Sequence, residues 1–180
     1  MQSMYKEAMR RVINEQAEAL YNDMGLSMNF KIDEAVKKLD GEILVNPNLD
    51  ESIEAKISAT ADAHSFIIEC PKQLNTDEGN VRFAIAHEIG HLFFHMLQFD
   101  ENGKYTINGN FYRGKDNSSL TEWEAEEFAA AFLMPKNIFQ MEVDSVWADD
   151  SIENKISELA KKFGVPFKSI ITRGKGLGIW

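Results

Sequence analysis

The spacing of apolar side chains predicts helices followed by a short strand in the first quarter of the chain. From Tyr5 to about Met24, apolar residues recur every three or four positions, as on one face of an α-helix, and Gly25 follows as a helix-ending residue. The apolar pattern of residues 30–39 predicts a second, shorter helix. The β-favouring residues 42–45 then predict a strand.

The next segment, from Ile53 to Cys70, predicts a β-hairpin. Apolar and polar positions alternate in its first half, and a β-rich run begins at Phe66. Asp62 lies in the polar turn between the two halves. Pro71 ends the strand region, since proline cannot donate a ladder hydrogen bond.

Helical spacing returns after the polar residues 75–80 and continues through the segment HEIGH at positions 87–91. Residues 100–119 are rich in Asn, Gly and Ser and interrupted by aromatics, which predicts an ordered loop placed to flank a cleft. Thr121 is the predicted N-cap of another helix, with Glu124 at the reciprocal capping position.

The chain closes with a further amphipathic helix and a basic tail. Ser151 is the predicted start of this helix, and Gly164 ends it. The alternation of elements predicts an α+β fold, in which a small, mostly antiparallel sheet packs on helices. We interpret residues 1–180 as a single domain, with a small helical segment at about 150–180 packed on it.

Composition and charge narrow the possible functions. The formal net charge of −10 repels phosphate backbones and anionic membranes, so direct nucleic-acid or membrane binding is not expected. The single cysteine, Cys70, cannot form an intramolecular disulfide, which fits a reducing compartment. The N-terminus has no uninterrupted apolar stretch typical of a signal peptide, and no apolar run approaches the roughly 20 residues of a membrane span. We therefore expect a cytoplasmic protein.

The segment HEIGH carries the strongest chemical signal. Residues four apart share one helical face, so His87 and His91 can present two imidazole nitrogens to one ion, with Glu88 beside them. Two imidazoles and a carboxylate are a typical ligand set of catalytic Zn²⁺, which leaves a fourth position for water. The pattern predicts one zinc ion per chain, with Glu88 as the catalytic general base.

The third ligand is predicted in the glutamate-rich helix 121–130. Glu122 and Glu126 lie one turn apart on a face that also carries two alanines, which permit close helix approach. We predict Glu122 as the ligand, with Glu126 orienting a ligand histidine or itself being the ligand. Glu124 and Glu127 are interpreted as solvated charges.

Two other histidines are not expected to bind the metal. His95 lies one turn beyond His91, and three ligands on consecutive turns of a straight helix would diverge around one ion, so we predict an indirect or packing role. His64 lies in the predicted hairpin, and we predict no role in the site for it.

Two motifs, RFAIAHEIGHLFFH and EWEAEEFAAAFLMP, together resemble the ImmA/IrrE family of metallo-endopeptidases. The acidic first position of the family's second motif falls on Glu122, and its usual Asn position is occupied here by Glu126. The resemblance implies a cytoplasmic zinc endopeptidase whose protein substrate is a helix-turn-helix transcriptional repressor of a mobile element or a stress response.

Two alternatives remain open at this stage. The chain could be a regulator that sequesters a repressor without cutting it, although a pure binding site has no need of Glu88 beside the metal. The C-terminal residues 161–180 carry five cations and no acidic side chain, and part of this segment resembles half of a helix-turn-helix, which would suit DNA binding. A segment of this size more often packs against its own domain.

Overall fold

The computed structural model describes residues 2–50, 52–71, 78–114, 119–145 and 151–180. For residues 2, 3 and 112–114 it describes the backbone only. Its helices are α1 (Gln2–Asp23), α2 (Ile32–Lys38), α3 (Gly79–His91), α4 (Leu120–Leu133), α5 (Lys136–Ser145), α6 (Ile152–Phe163) and α7 (Phe167–Leu177). Its strands are β1 (Gly41–Val45), β2 (Ile53–Ala59), β3 (Phe66–Cys70), β4 (Leu97–Phe99), β5 (Tyr105–Ile107) and β6 (Asn110–Gly114). A π-helical turn, Leu92–Met96, directly continues α3.

The main sheet has four strands in the order β1-β3-β2-β6. β1 pairs with β3 in parallel, whereas the β3–β2 and β2–β6 pairs are antiparallel. β4 and β5 form a separate antiparallel pair. The predicted α+β class with a small, mostly antiparallel sheet is therefore confirmed, as is the hairpin of β2 and β3.

The prediction of a loop over residues 100–119 is wrong in part. β5 and β6 both lie in this segment, and β6 forms one edge of the main sheet, where Phe111 is paired with Ile57 of β2. The Asn- and Gly-rich composition does not predict a strand, because β6 is stabilised by its pairing with the distant strand β2. Residues 115–118 lie outside the described part of the chain.

The predicted N-cap of α4 is also wrong. Ser119, and not Thr121, caps the helix, because the Ser119 hydroxyl accepts a hydrogen bond of 3.3 Å from the backbone N–H of Glu122. α4 ends at Leu133, one residue before Met134, and α5 begins immediately after Pro135. The sequence reasoning did not separate α5 from its neighbours.

The core lies between the sheet and the α3–α4 pair. Its side chains are apolar residues of β2, β3, α3 and α4 that lie on facing surfaces of these elements. Fully or almost fully buried members are Ile57, Ile68, Ile85, Ile89, Phe128 and Phe132. α3 contacts both β2 and α4, so a helix that carries polar residues at its centre is held inside the molecule.

The C-terminal segment is more structured than a basic tail. Ser151 caps α6, and Gly164 ends it with a φ of +61°, both as predicted. The following residues form α7, and its Arg173 is buried. The Arg173 guanidinium donates to the backbone carbonyl of Met134 at 3.0 Å and to the Asn14 side chain at 2.5 Å. These bonds join α7 to the end of α4 and to α1.

In the described ranges, no helix combines the length and hydropathy that a membrane span requires.

Candidate metal centre

α3 and α4 approach each other closely at Gly90. A Cβ atom on Gly90 would lie 2.9 Å from the Ala125 Cα and 3.0 Å from its carbonyl oxygen. Both distances are shorter than van der Waals contact, so only glycine at 90 allows this spacing. The two helices therefore bring polar side chains from their facing surfaces within ligand distance.

Three side chains converge in this contact. The Nε2 atoms of His87 and His91 lie 3.0 Å apart. The Glu122 carboxylate lies 3.0 Å from the His87 Nε2 through Oε2 and 3.3 Å from the His91 Nε2 through Oε1. One nitrogen of each imidazole and one carboxylate oxygen all lie within 4.8 Å of one another.

This donor set fits a tetrahedral metal ion. Ligand bonds of about 2.0–2.1 Å to zinc give a tetrahedron whose edges are about 3.3 Å. The three separations of 3.0, 3.0 and 3.3 Å are close to that length. Two neutral imidazole nitrogens and one carboxylate oxygen also match the chemistry that zinc accepts at sites with an open position.

Burial sets the protonation of the cluster. Burial lowers the pKa of His91, and the Glu122 carboxylate only partly opposes this effect. For Glu122, burial acts to raise the pKa, but the polar contacts with His87 and His91 outweigh it and hold the pKa well below the usual range. The result is neutral imidazole beside ionised carboxylate, which are the forms that coordinate a metal.

Glu88 lies on α3 between the two histidines and is fully buried. Burial, followed by the charge of Glu88, raises the pKa of the Cys70 thiol on β3 to about 12. The structure shows Glu88 buried on the helix that carries His87 and His91, and its role as the general base stays a prediction.

The far nitrogens of the two imidazoles also have neighbours. The His87 Nδ1 lies 3.3 Å from the Glu126 Oε2, and the His91 Nδ1 lies 3.0 Å from the His95 Nδ1. The Phe111 ring stacks on the His91 ring, with centroids 4.5 Å apart and an interplanar angle of 13°. Sequence reasoning missed Phe111, since only the pairing of β6 with β2 brings it to the site.

The interpretation of Glu124 and Glu127 as solvated charges is wrong. Glu124 is 6% exposed and accepts a 2.8 Å hydrogen bond from the Tyr5 hydroxyl. Glu127 accepts hydrogen bonds of 3.0 Å from both Arg10 and Asn14. All three donors lie on α1, which packs on this face of α4. The residue pattern of α4 alone does not show that another helix packs there.

His64 lies outside the cluster, as the sequence suggested. Its ring makes an edge-to-face contact with Tyr105, with centroids 6.3 Å apart.

A cavity of about 310 Å³ adjoins the cluster. Its walls come from several elements and include Arg10 of α1, Phe83 of α3, Trp123 and Glu126 of α4, and Lys168 of α7. Glu126 belongs to both the cavity wall and the surroundings of the cluster. Its carboxylate contacts His87, and its side chain is 45% exposed. Glu126 therefore links the cavity to the cluster, although His87, His91 and Glu122 do not line the cavity.

Comparison with known proteins gives one family and one fold. The family model described as the IrrE N-terminal-like domain (Peptidase_M78) matches residues 73–174, which is more than half of the 180 residues. That range includes His87, Glu88, His91 and Glu122. No curated protein matches the chain.

A solved chain of a Mycobacterium tuberculosis transcriptional regulator is similar in structure, with a TM-score of 0.56 and 16% identity. The similarity covers 93% of this chain but 50% of that one, so the chain spans about half the length of the regulator. At this identity the likeness shows a shared fold.

Proposed function

The chain belongs to the IrrE N-terminal-like peptidase family, which confirms the resemblance seen in its two motifs, and from this membership we propose that it is a zinc-dependent endopeptidase. The observation that carries the proposal is the convergence of His87, His91 and Glu122 around one point, with Glu88 buried beside them. A peptidase of this type needs three ligands and one base, and these four residues supply them.

The proposed chemistry divides between the ion and Glu88. When bound, zinc supplies the Lewis acidity that activates water and polarises the scissile carbonyl. Glu88 accepts the proton of the attacking water and delivers it to the leaving amine. The buried position of Glu88 favours this shuttle, because a carboxylate shielded from bulk water exchanges its proton with the reacting groups.

We propose a helix-turn-helix transcriptional repressor as the substrate and the cytoplasm as the place of action. Both follow from the resemblance to the ImmA/IrrE family. The similar fold of a protein titled as a transcriptional regulator agrees with a role in gene control. The cavity next to Glu126 is a candidate site for a side chain of the bound substrate, because Glu126 in its wall also contacts His87.

The test uses Glu88→Gln as a substrate trap. The variant protein is expressed in cells of its source, co-purifying proteins are identified by mass spectrometry, and each is incubated with zinc-loaded wild type. We expect Glu88→Gln to retain one zinc per chain and to lose cleavage, since glutamine cannot take up the proton. Glu101→Gln, an exposed exchange of the same chemistry, is the control and should cleave normally.

Two outcomes would overturn parts of the proposal. Loss of zinc from Glu88→Gln would contradict its role as a base that does not bind the ion. A repressor that is captured but never cut by wild type would favour sequestration without cleavage.

A further inference from the structure

A continuous line of side-chain contacts runs from His91 to the N-terminal helix. The His91 Nδ1 lies 3.0 Å from the His95 Nδ1, and the His95 Nε2 lies 3.0 Å from the Glu124 Oε2. The other oxygen of Glu124 accepts the 2.8 Å hydrogen bond from the Tyr5 hydroxyl. Four residues, one each from α3, the π-helical turn, α4 and α1, are thus joined by three contacts of hydrogen-bond length.

With His95 neutral and Glu124 ionised, these contacts fix one arrangement of protons. An ionised carboxylate can only accept, so the His95 Nε2 must donate to Glu124. In neutral His95 the Nδ1 then carries a lone pair and accepts from the His91 Nδ1–H. The His91 Nε2 is left without a proton, and this is the atom that lies 3.0 Å from the His87 Nε2 in the cluster.

The opposite arrangement would block the site. If the His95 Nδ1 carried a proton, the His91 Nδ1 would have to be the acceptor. A neutral His91 would then carry its proton on Nε2, directed at the other ligand atoms. The line of contacts therefore selects the tautomer of His91 that can coordinate an ion.

The line is protected from water between His91 and Glu124, whereas Tyr5 at its end is 44% exposed. The side chains of His95 and Glu124 are 9% and 8% exposed, and that of His91 is 0% exposed. Hydrogen bonds in such surroundings hold their geometry better than exposed ones, because water does not compete for the donors. His87 has a different arrangement, since its Nδ1 lies 3.3 Å from Glu126, whose side chain is 45% exposed.

The backbone places His95 in this position. The π-helical turn Leu92–Met96 widens the helix after His91, so His95 does not follow the spacing of a regular α-helix. Its ring lies between His91 on one side and Glu124 of α4 on the other.

From these contacts we propose that His95, Glu124 and Tyr5 form a positioning relay that fixes the His91 tautomer, so that α1 completes the metal centre. The proposal rests on the proposed metal-binding function of His91. It makes the affinity for the ion depend on a residue of α1 that does not touch the cluster.

The chain contains its own control for this relay. α1 is attached to α4 in two ways, through Tyr5 to Glu124 and through Arg10 and Asn14 to Glu127. Only Glu124 contacts His95. Replacing either glutamate loosens α1, but only Glu124→Leu breaks the relay.

The experiment compares Glu124→Leu, Glu127→Leu and Tyr5→Phe. Zinc affinity is measured by competition with a chromophoric chelator, and the thermal midpoint of each zinc-free protein is measured in parallel. We expect Glu124→Leu to weaken zinc binding about 10–100-fold, as for other residues that support a ligand histidine. Tyr5→Phe should weaken it about three- to tenfold, the value of one hydrogen bond. Glu127→Leu should leave the affinity unchanged even where it lowers the thermal midpoint.

A double variant and a spectroscopic measurement complete the test. In the Glu124→Leu background, Tyr5→Phe should have no further effect on zinc affinity, because the relay is already broken. The ¹⁵N chemical shifts of the His91 ring in the zinc-free protein should show the proton on Nδ1 in wild type and a mixture of tautomers in Glu124→Leu.

Equal loss of affinity in Glu124→Leu and Glu127→Leu, or an unchanged His91 tautomer in Glu124→Leu, would overturn the relay. These measurements are independent of cleavage. A protein with the predicted tautomer response but no peptidase activity would contradict the proposed function alone. Cleavage and zinc binding that are insensitive to Glu124 would contradict the relay alone.

Discussion

Glu122 and Glu126, one turn apart on α4, contact different nitrogens of the histidine pair. Glu122 touches the Nε2 atoms of both His87 and His91, which face each other at the centre of the cluster. Glu126 lies 3.3 Å from the far nitrogen of His87. This geometry makes Glu122 the proposed ligand and gives Glu126 the supporting position.

The two roles predict different effects of substitution on zinc binding. Glu122→Gln should lower the zinc content of dialysed protein from one per chain to near zero, because a neutral amide oxygen is a much weaker ligand than a carboxylate. Glu126→Gln should keep one zinc per chain but weaken its affinity about tenfold, since it removes only support for His87. Zinc content by atomic absorption and affinity by chelator competition are the measurements. Zinc loss from Glu126→Gln with retention in Glu122→Gln would reverse the assignment.

The individual site residues differ in how far the sequence could place them. The spacing within HEIGH is enough to bring His87 and His91 to one face, since helix geometry is local. The shared face of α4 leaves Glu122 and Glu126 as candidates for the third ligand, and only the contacts in the structure distinguish them. The environments of Glu124 and Phe111 could not be read in this way, because Tyr5 and the β2–β6 pair reach them through contacts between distant segments.

At the level of elements, the site depends on the distance between α3 and α4. Gly90 and Ala125 are in close contact, and the proposed ligands His87, His91 and Glu122 lie near them on the two helices. A side chain larger than hydrogen at position 90 must push the helices apart, since the atoms that it meets include backbone.

Gly90→Ala is therefore expected to damage both stability and metal binding. The added methyl group should lower the free energy of unfolding by about 1–3 kcal/mol through overpacking. It should also weaken zinc binding, because Glu122 moves away from the two histidines. Chemical denaturation of the zinc-free protein and chelator competition measure the two effects.

Gly176→Ala on α7 is the matched control. A Cβ at position 176 would lie 3.7 Å from the Arg10 Nε, which is ordinary contact. Alanine is favoured over glycine in a helix, so this variant should be as stable as wild type or up to about 1 kcal/mol more stable. An equally stable Gly90→Ala with full zinc affinity would show that helix spacing does not control the site.

The elements with strong local periodicity were predictable, and those stabilised by distant partners were not. α1, α4, α6 and the hairpin of β2 and β3 carry their own spacing and end signals. β6 lacks these signals and becomes a strand by pairing with β2. α7 has a basic sequence, and its buried Arg173 gains partners only when α1 and α4 are in place.

For the molecule as a whole, Arg173 changes the meaning of the basic C-terminal segment. One of its five cations is used inside the protein, with the carboxylates of Glu127 and Glu18 each 3.8 Å away. Burial is the main cause that lowers the pKa of Arg173 to about 10, which still leaves it charged at neutral pH. With a net charge of −10 on the chain, this arrangement favours an internal structural role over contact with DNA.

The same residue gives a test of the predicted single domain. Because Arg173 joins α7 to α1 and α4, wild type should unfold in one cooperative transition, and the amides of α7 should exchange hydrogen with the same free energy as those of α4. Arg173→Met removes the donors to Met134 and Asn14 and should lower the free energy of unfolding by about 1.5–3 kcal/mol. The α7 amides should then exchange through local opening, ahead of α4.

Lys175→Met provides the comparison, because it removes an exposed positive charge from the same helix. It should leave the exchange of α7 amides tied to global unfolding. Separate transitions in wild type, or early exchange of α7 without any substitution, would show that the C-terminal helices fold independently of α1 and α4. In that case the hydrogen bonds of Arg173 would orient α7 without coupling its stability to the helices that form the metal centre.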